Sequence, residues 1–356
     1  MDAIKLLKNY KKRVDSFLKE YFNRKIKQAE DNDPLTVHAV EVIADFVLAG
    51  GKRIRPALVY YGYLAAGARS SRKIVEASMG IELTHAFLLI HDDIIDRDAK
   101  RHGVATIHER YKKIGRRMAP QKNSDHFGNS MAIIVGDIAS AMANEIIFNV
   151  KFSAEVIVKA LDKLQDIIYV TIPGEMLDIV MENRGRTTEK EILRMFEGKT
   201  SRYTFEGPLH LGCVLAGGDQ KMLQAFTKYS LPLGKAFQIQ DDILGVFGNE
   251  KKLGKPVGSD IVEGKQTLLV LKALKKGNAE QRKIVQSCLG KKDLTKKELK
   301  SFREVLRQTG SLEYSQKLAA AFVNEALVAL EETEIKNKEA EVFLKGIAEY
   351  IIKREV

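Results

Sequence analysis

Along residues 1–30, Leu, Tyr, Val and Phe recur among Lys and Glu at helical period, which predicts an amphipathic opening helix. Asp31-Asn32-Asp33-Pro34 reads as a turn and a helix start. The helix it opens should end at Leu48, before a tight loop, Gly50-Gly51-Lys52-Arg53-Ile54-Arg55-Pro56. A helix over 57–67 carries Tyr60, Tyr61 and Tyr63 as core or interface aromatics. From 78 to Asp92 the chain is apolar on nearly every helical face, the mark of a helix surrounded by protein. An extended passage should run from Lys100 to about Pro120, and the polar stretch 110–130, punctuated by Gly115, Pro120 and Gly128, reads as a loop or mobile segment. Met131 opens another buried helix, in which Gly136 fits close packing. Residues 154–184 predict a helix broken or kinked at Pro173-Gly174. Glu197-Gly198-Lys199-Thr200 should interrupt a helix and turn Lys199 and Thr200 inward. Gly234 to Gly245 is apolar with a polar stripe, 248–266 is a loop rich in Gly and Lys, and the charged helices beyond 266 read as a solvated outer face. No strand pattern or internal repeat stands out. The expected fold is all-α, a single domain over 1–356, with roughly ten to thirteen helices in a large bundle around a central cavity.

Two of these helices carry a chemical problem. Asp92, Asp93 and Asp96 lie within one turn at the end of an apolar helix, where like charges repel and burial of an unpaired carboxylate is costly. Gln238, Asp241, Asp242 and Gly245 repeat the arrangement at i, i+3, i+4 and i+7. Two aspartate pairs on buried helices point to one site for a hard divalent cation. Few protein ligands from each side suit magnesium, which keeps waters and completes its shell with phosphate oxygens. The cations near these positions fit that reading: Arg101 and His102 follow the first cluster, Lys255 and Lys265 follow the second, and the double glycine presents Lys52, Arg53 and Arg55 to an anion.

Charge narrows the class but does not choose within it. Lys+Arg 58 against Asp+Glu 47 gives +11, which favours nucleic acid, acidic membranes or phosphorylated metabolites. A nucleic-acid binder would show a basic stripe interleaved with aromatics, whereas these cations gather around aspartates. Cys213 and Cys288 are the only two cysteines and lie far apart in sequence, so neither a disulfide framework nor a zinc site is expected and a cytoplasmic setting fits. Met1 to Lys12 has no apolar core of a signal peptide, and no run is expected to reach the ~18 apolar residues of a membrane span.

With both aspartate helices, the Gly-Gly-Lys-Arg-x-Arg-Pro loop and the lysine-rich flap present in order, the chain resembles the trans-isoprenyl diphosphate synthases, or polyprenyl synthetases, over about 40–350. The two-residue spacing between the Asp92-Asp93 pair and Asp96 resembles the archaeal type. The resemblance implies an isoprenoid-synthase fold, a homodimer, and head-to-tail condensation of isopentenyl diphosphate with an allylic diphosphate. Asp92, Asp93, Asp96, Asp241 and Asp242 would bind Mg2+. Arg101, Lys199, Lys255 and Lys265 would hold the allylic diphosphate; Lys52, Arg55, His85 and His102 would hold isopentenyl diphosphate. Thr200 and Gln238 would turn oxygen dipoles toward the allylic cation. Phe87 and Leu88 would line the product tunnel, and an aromatic at 87 implies geranylgeranyl diphosphate, with farnesyl diphosphate as the alternative.

Three positions depart from the family pattern. Gly245 stands where a third Asp is common, His102 replaces an Arg and should weaken isopentenyl diphosphate binding at high pH, and Glu175 replaces a Gln. The first two keep open a weakly active or regulatory subunit. A terpene cyclase would want an Asn/Ser/Glu triad in place of Asp241-Asp242. A di-iron bundle would need a second copy of Glu82-x-x-His85.

Overall fold

The structure is a computed structural model that describes residues 2–101, 103–248 and 257–353. Helices account for nearly all of it: α1 (Ala3–Glu30), α2 (Pro34–Leu48), α3 (Ile54–Ala65), α4 (Arg72–Ile95), α5 (Ile107–Met118), α6 (Ser124–Asn149), α7 (Ala154–Arg184), α8 (Glu189–Phe196), a π-helical segment (Glu197–Glu206), α9 (Gly207–Leu215) and α10 (Gln220–Phe247). Beyond Val257 follow α11 (Ser259–Glu263), α12 (Leu268–Lys276), α13 (Ala279–Cys288), α14 (Lys296–Gln308), α15 (Ser311–Glu331) and α16 (Lys338–Lys353). The all-α expectation holds, with more helices than expected because the charged C-terminal third is cut into short ones.

The chain divides into two compact units. One comprises Met1–Leu164, Pro208–Gly218 and Lys336–Ala340; the other comprises Gln165–Gly207, Asp219–Ile335 and Glu341–Val356. In the first, α4 is the central helix, packed by α1, α2, α3, α5 and α6. Its buried residues, from Ile74 through Ser78, Ile81 and Thr84 to Ile90, face every direction. That burial is what the all-round apolar pattern requires. Helix α2 starts as its sequence dictates: the Asp33 carboxylate accepts the Leu35 and Thr36 N–H groups, and Pro34 needs no partner. In the second unit, α10 packs on the π-helical segment, α8, α11, α12 and α15. Tyr229 is fully buried and its hydroxyl donates to the Leu344 carbonyl at 2.7 Å.

Several expectations change. The stretch 110–130 is not a loop: α5 and the start of α6 fill most of it. Ile107, Tyr111 and Gly115 form a buried stripe along α5. A Cβ at Gly128 would lie 2.5 Å from the His108 carbonyl, so this glycine permits helix contact and does not break a helix. Helix α7 runs unbroken through Pro173. A two-residue hairpin, β1 (Lys100–Arg101) and β2 (Val104–Ala105), turns at Gly103 with φ +81°; strands this short leave no pattern in sequence. Two helices, α4 and α6, do reach membrane-spanning length and apolarity, contrary to the count of apolar runs, because their few polar residues are diluted along the helix. In α4, 67% of the apolar window is buried within protein, as expected of a core helix.

Candidate active site

In the first unit, α4 delivers Asp92 and Asp93 in its last turn, and Asp96 closes the helix with its N–H on the Asp92 carbonyl at 2.8 Å. Arg97 then takes a left-handed conformation, φ +57°, which reverses the chain into the hairpin. The hairpin returns Arg101 to the carboxylates. Its Nε donates to Asp93 Oδ1 at 2.6 Å, and its Nη2 donates to Asp92 at 3.3 Å and to Asp98 at 3.4 Å. Asp93 is 1% exposed. Burial pushes its carboxyl up to about 6, with Asp92 and Asp98 adding to the rise and Arg101 opposing it. Its second oxygen, Oδ2, is buried and makes no hydrogen bond.

The double-glycine loop divides its cations by role. Arg53, expected to face an anion, faces inward: it is 4% exposed and left-handed at φ +56°. It donates to Asp15 at 2.7 Å, to Glu82 at 2.5 Å and to the Val47 carbonyl at 2.6 Å. A guanidinium with two carboxylates at hand is cheaper to bury than any of the three alone. Arg53 is therefore an anchor, while Lys52 stays exposed. Arg55 Nη1 lies 3.0 Å from His85 Nε2, so two of the expected isopentenyl diphosphate residues meet. Two residues along α4, the half-buried Phe87 stacks edge-on against His91 with centroids 4.9 Å apart. The His91 ring occupies the space where a Cβ at Gly136 would be, 2.4 Å from Nε2. Leu88 is half-buried beside Phe87.

In the second unit the π-helical segment carries Lys199 and Thr200, and such wide turns recur at functional sites because they re-aim side chains. It is reached closely by α7: a Cβ at Gly174 would fall 2.3 Å from the Lys199 nitrogen. Lys199 Nζ lies 2.8 Å from both Glu175 and Asp178. The Thr200 hydroxyl donates to Gln238 Oε1 at 2.6 Å, and the Gln238 amide donates to Asp242 Oδ1 at 2.9 Å. This relay fixes the Gln238 amide. Asp242 is 7% exposed, and burial holds its carboxyl well above the usual range, helped by the charges of Asp260, Asp241 and Asp178 against the Gln238 hydrogen bond. Its Oδ2 is also buried without a hydrogen bond. Lys265 pairs with Glu263 at 2.7 Å. His102 and Lys255 lie outside the described residues.

Among the described residues no three or more His, Cys, Asp or Glu side chains gather closely enough to hold a metal ion on their own. The donor set fits magnesium: each cluster ends on a buried carboxylate oxygen that lacks a partner, and a hard cation is what such an oxygen accepts.

A family profile described as polyprenyl synthetase matches residues 37–306. The chain belongs to the polyprenyl synthetase family. The relatives agree: geranylgeranyl diphosphate synthase of Saccharolobus solfataricus is 36% identical over 86% of this chain and 87% of its own. The short chain isoprenyl diphosphate synthase of Methanothermobacter thermautotrophicus is 32% identical over 100% of this chain and 99% of its own. Among solved structures, geranylgeranyl pyrophosphate synthase of Corynebacterium glutamicum, complexed with isoprenyl diphosphate and magnesium, has TM-score 0.92 at 30% identity, covering 98% of this chain and 99% of that one.

This polyprenyl synthetase is thus a prenyltransferase, and two competing readings lose their footing. Glu82 is committed to Arg53 and does not form a metal pair with His85. The later aspartate helix carries Asp241-Asp242, not the triad of a cyclase. Sequence reading passed over Asp98, which shares Arg101, and Asp260, which acts on Asp242 from another helix. Asp98 could have been found by its spacing from Asp96; Asp260 had no local signal.

Proposed function

We propose that this polyprenyl synthetase condenses isopentenyl diphosphate with allylic diphosphates and stops mainly at geranylgeranyl diphosphate. The observation that carries the reading is the pair of buried, unpartnered carboxylate oxygens on Asp93 and Asp242, one in each aspartate cluster. Asp92, Asp93, Asp96, Asp241 and Asp242 would hold Mg2+. When bound, magnesium neutralises charge on the departing diphosphate. Arg101, Lys199, Lys255 and Lys265 grip that leaving group. Each described member of this set already sits against carboxylates, from which a bound diphosphate would draw it. Lys52, Arg55, His85 and His102 hold isopentenyl diphosphate. The allylic C–O bond breaks, the isopentenyl double bond attacks the cation, and the proton lost from the product passes to the released diphosphate. Thr200 and Gln238, locked in their relay, present oxygen dipoles to the cation. Phe87, braced by His91, closes the chain-length tunnel with Leu88.

The relatives named as geranylgeranyl diphosphate synthases support the product, and the family match across 37–306 supports a single functional domain. A homodimer is supported by the exposed apolar stripe Tyr169, Ile172, Met176 and Val180 on α7. We place the enzyme in the cytoplasm, without a membrane span or nucleic acid partner.

The test is incubation with Mg2+, isopentenyl diphosphate and, separately, dimethylallyl, geranyl or farnesyl diphosphate, followed by phosphatase treatment and identification of the alcohols. Geranylgeraniol from all three primers is expected. Farnesol as the terminal product would replace it with the shorter synthase, and no elongation from any primer would sink the stand-alone synthase.

A further inference from the structure

The double-glycine loop is folded around one side chain. Arg53 caps the start of α3 in a left-handed conformation, φ +56°, which residues with a Cβ avoid and which persists only where the surroundings over-determine it. Three helices do so here, each through a different nitrogen: Nε donates to Asp15 on α1 at 2.7 Å, Nη1 to Glu82 on α4 at 2.5 Å, and Nη2 to the Val47 carbonyl near the end of α2 at 2.6 Å. Gly51, at φ +102°, makes room for the guanidinium, since a Cβ there would lie 3.2 Å from Nη1. His85, at i+3 from Glu82, meets Arg55, so one face of α4 receives both arginines of the loop. Charge balance does not call for Asp15. Glu82, 7% exposed, already balances Arg53, and Asp15 has Lys11 at 2.5 Å. What Asp15 adds is direction: bonds at Nη1 and Nη2 leave the guanidinium a pivot along the line that joins them, and the bond at Nε closes it.

We propose that Asp15 is a positioning residue for isopentenyl diphosphate: by fixing Arg53 from α1 it sets the backbone of residues 52–55, and with it the aim of Lys52 and Arg55. The proposal rests on the reading of those two residues given above. It gives α1, which lies upstream of the 37–306 family match, a part in substrate binding, although Asp15 itself touches no substrate. The effect is selective between the two substrates, because the allylic diphosphate is assigned to other residues. Loss of the Asp15 bond therefore weakens isopentenyl diphosphate binding and leaves the allylic substrate alone, a split that a general loosening of α1 would not produce.

The test is steady-state kinetics of the full chain with Mg2+, varying isopentenyl diphosphate and geranyl diphosphate in turn, with circular dichroism melts of every variant. Asp15→Ala, which cuts the bond while giving α1 a better helix former, should raise the KM for isopentenyl diphosphate roughly tenfold or more and leave that for geranyl diphosphate within about twofold. Should it melt below the assay temperature, Asp15→Ser, too short to reach Nε, takes its place. Asp15→Asn, which keeps an acceptor for Nε without the charge, should recover most of the loss. Val14→Ala hollows the fully buried contact beside it on α1 and should lower the melting temperature with both KM values unchanged. A wild-type KM for isopentenyl diphosphate in Asp15→Ala, an equal rise in both KM values, no recovery in Asp15→Asn, or the same selective rise in Val14→Ala would overturn the proposal while leaving the condensation reading intact. A wild-type protein that elongates no primer would overturn both.

Discussion

Asp93 and Arg53 show how differently two buried charges are settled. The Asp93 carboxyl, raised from 3.8 to about 6 by burial, binds its proton more tightly in the folded chain than in the unfolded one. The folded state therefore holds the extra proton between about pH 4 and 6, and metal-free stability falls as pH rises through that window, by about 2–3 kcal/mol at most. Relative to Asp93→Asn, the wild type should lose melting temperature between pH 4 and 7 without metal and regain it with excess Mg2+. Parallel melts of the two proteins at each pH would show it; parallel curves would contradict it. Arg53 is settled by partners, and Arg53→Met would strand the buried Glu82 and leave Asp15 to Lys11, costing about 3–5 kcal/mol in urea unfolding. The sequence placed Arg53 beside Lys52 and Arg55 in one basic run. It could not show that the middle cation points inward, since that follows from where α1 and α4 put their carboxylates.

At the level of helices, period and capping told most of the story. The amphipathic α1, the Asp33-Pro34 start of α2 and the all-apolar α4 are each dictated by local residues. Glycine misled. Gly115 and Gly128 look like loop punctuation, but a Cβ at Gly115 would meet the Phe127 ring and one at Gly128 the α5 backbone. Close approach of helices and a break in the chain use the same residue, and only tertiary packing separates them. Gly174, against the π-helical segment, is of this kind. Gly174→Ala would raise helix propensity by up to about 1 kcal/mol yet overpack against the Lys199 backbone, a net loss of about 1–3 kcal/mol. Because Lys199 moves with that backbone, its kcat should fall too; an alanine variant as stable and active as wild type would contradict this contact.

For the whole molecule, the two aspartate motifs and the basic loop were legible as a set because spacing along a helix determines which side chains share a face. What was not legible is anything assembled from distant segments: Asp260 against Gly245, or Glu175 and Asp178 on Lys199. The exposed stripe on α7 belongs to this scale. Tyr169→Glu with Met176→Glu should convert a dimer to monomer in light scattering after size exclusion, whereas an unchanged mass would place the interface elsewhere. The proposal on which the functional reading depends is that both aspartate clusters contribute to binding the allylic diphosphate. The direct measurement is Mg2+-dependent binding of an unreactive allylic thiodiphosphate to wild type, Asp92→Asn and Asp241→Asn. Both variants should lose roughly tenfold or more in affinity, and EDTA should abolish what remains. If either variant binds the analogue as tightly as wild type, that cluster does not contribute to diphosphate binding and the proposal fails.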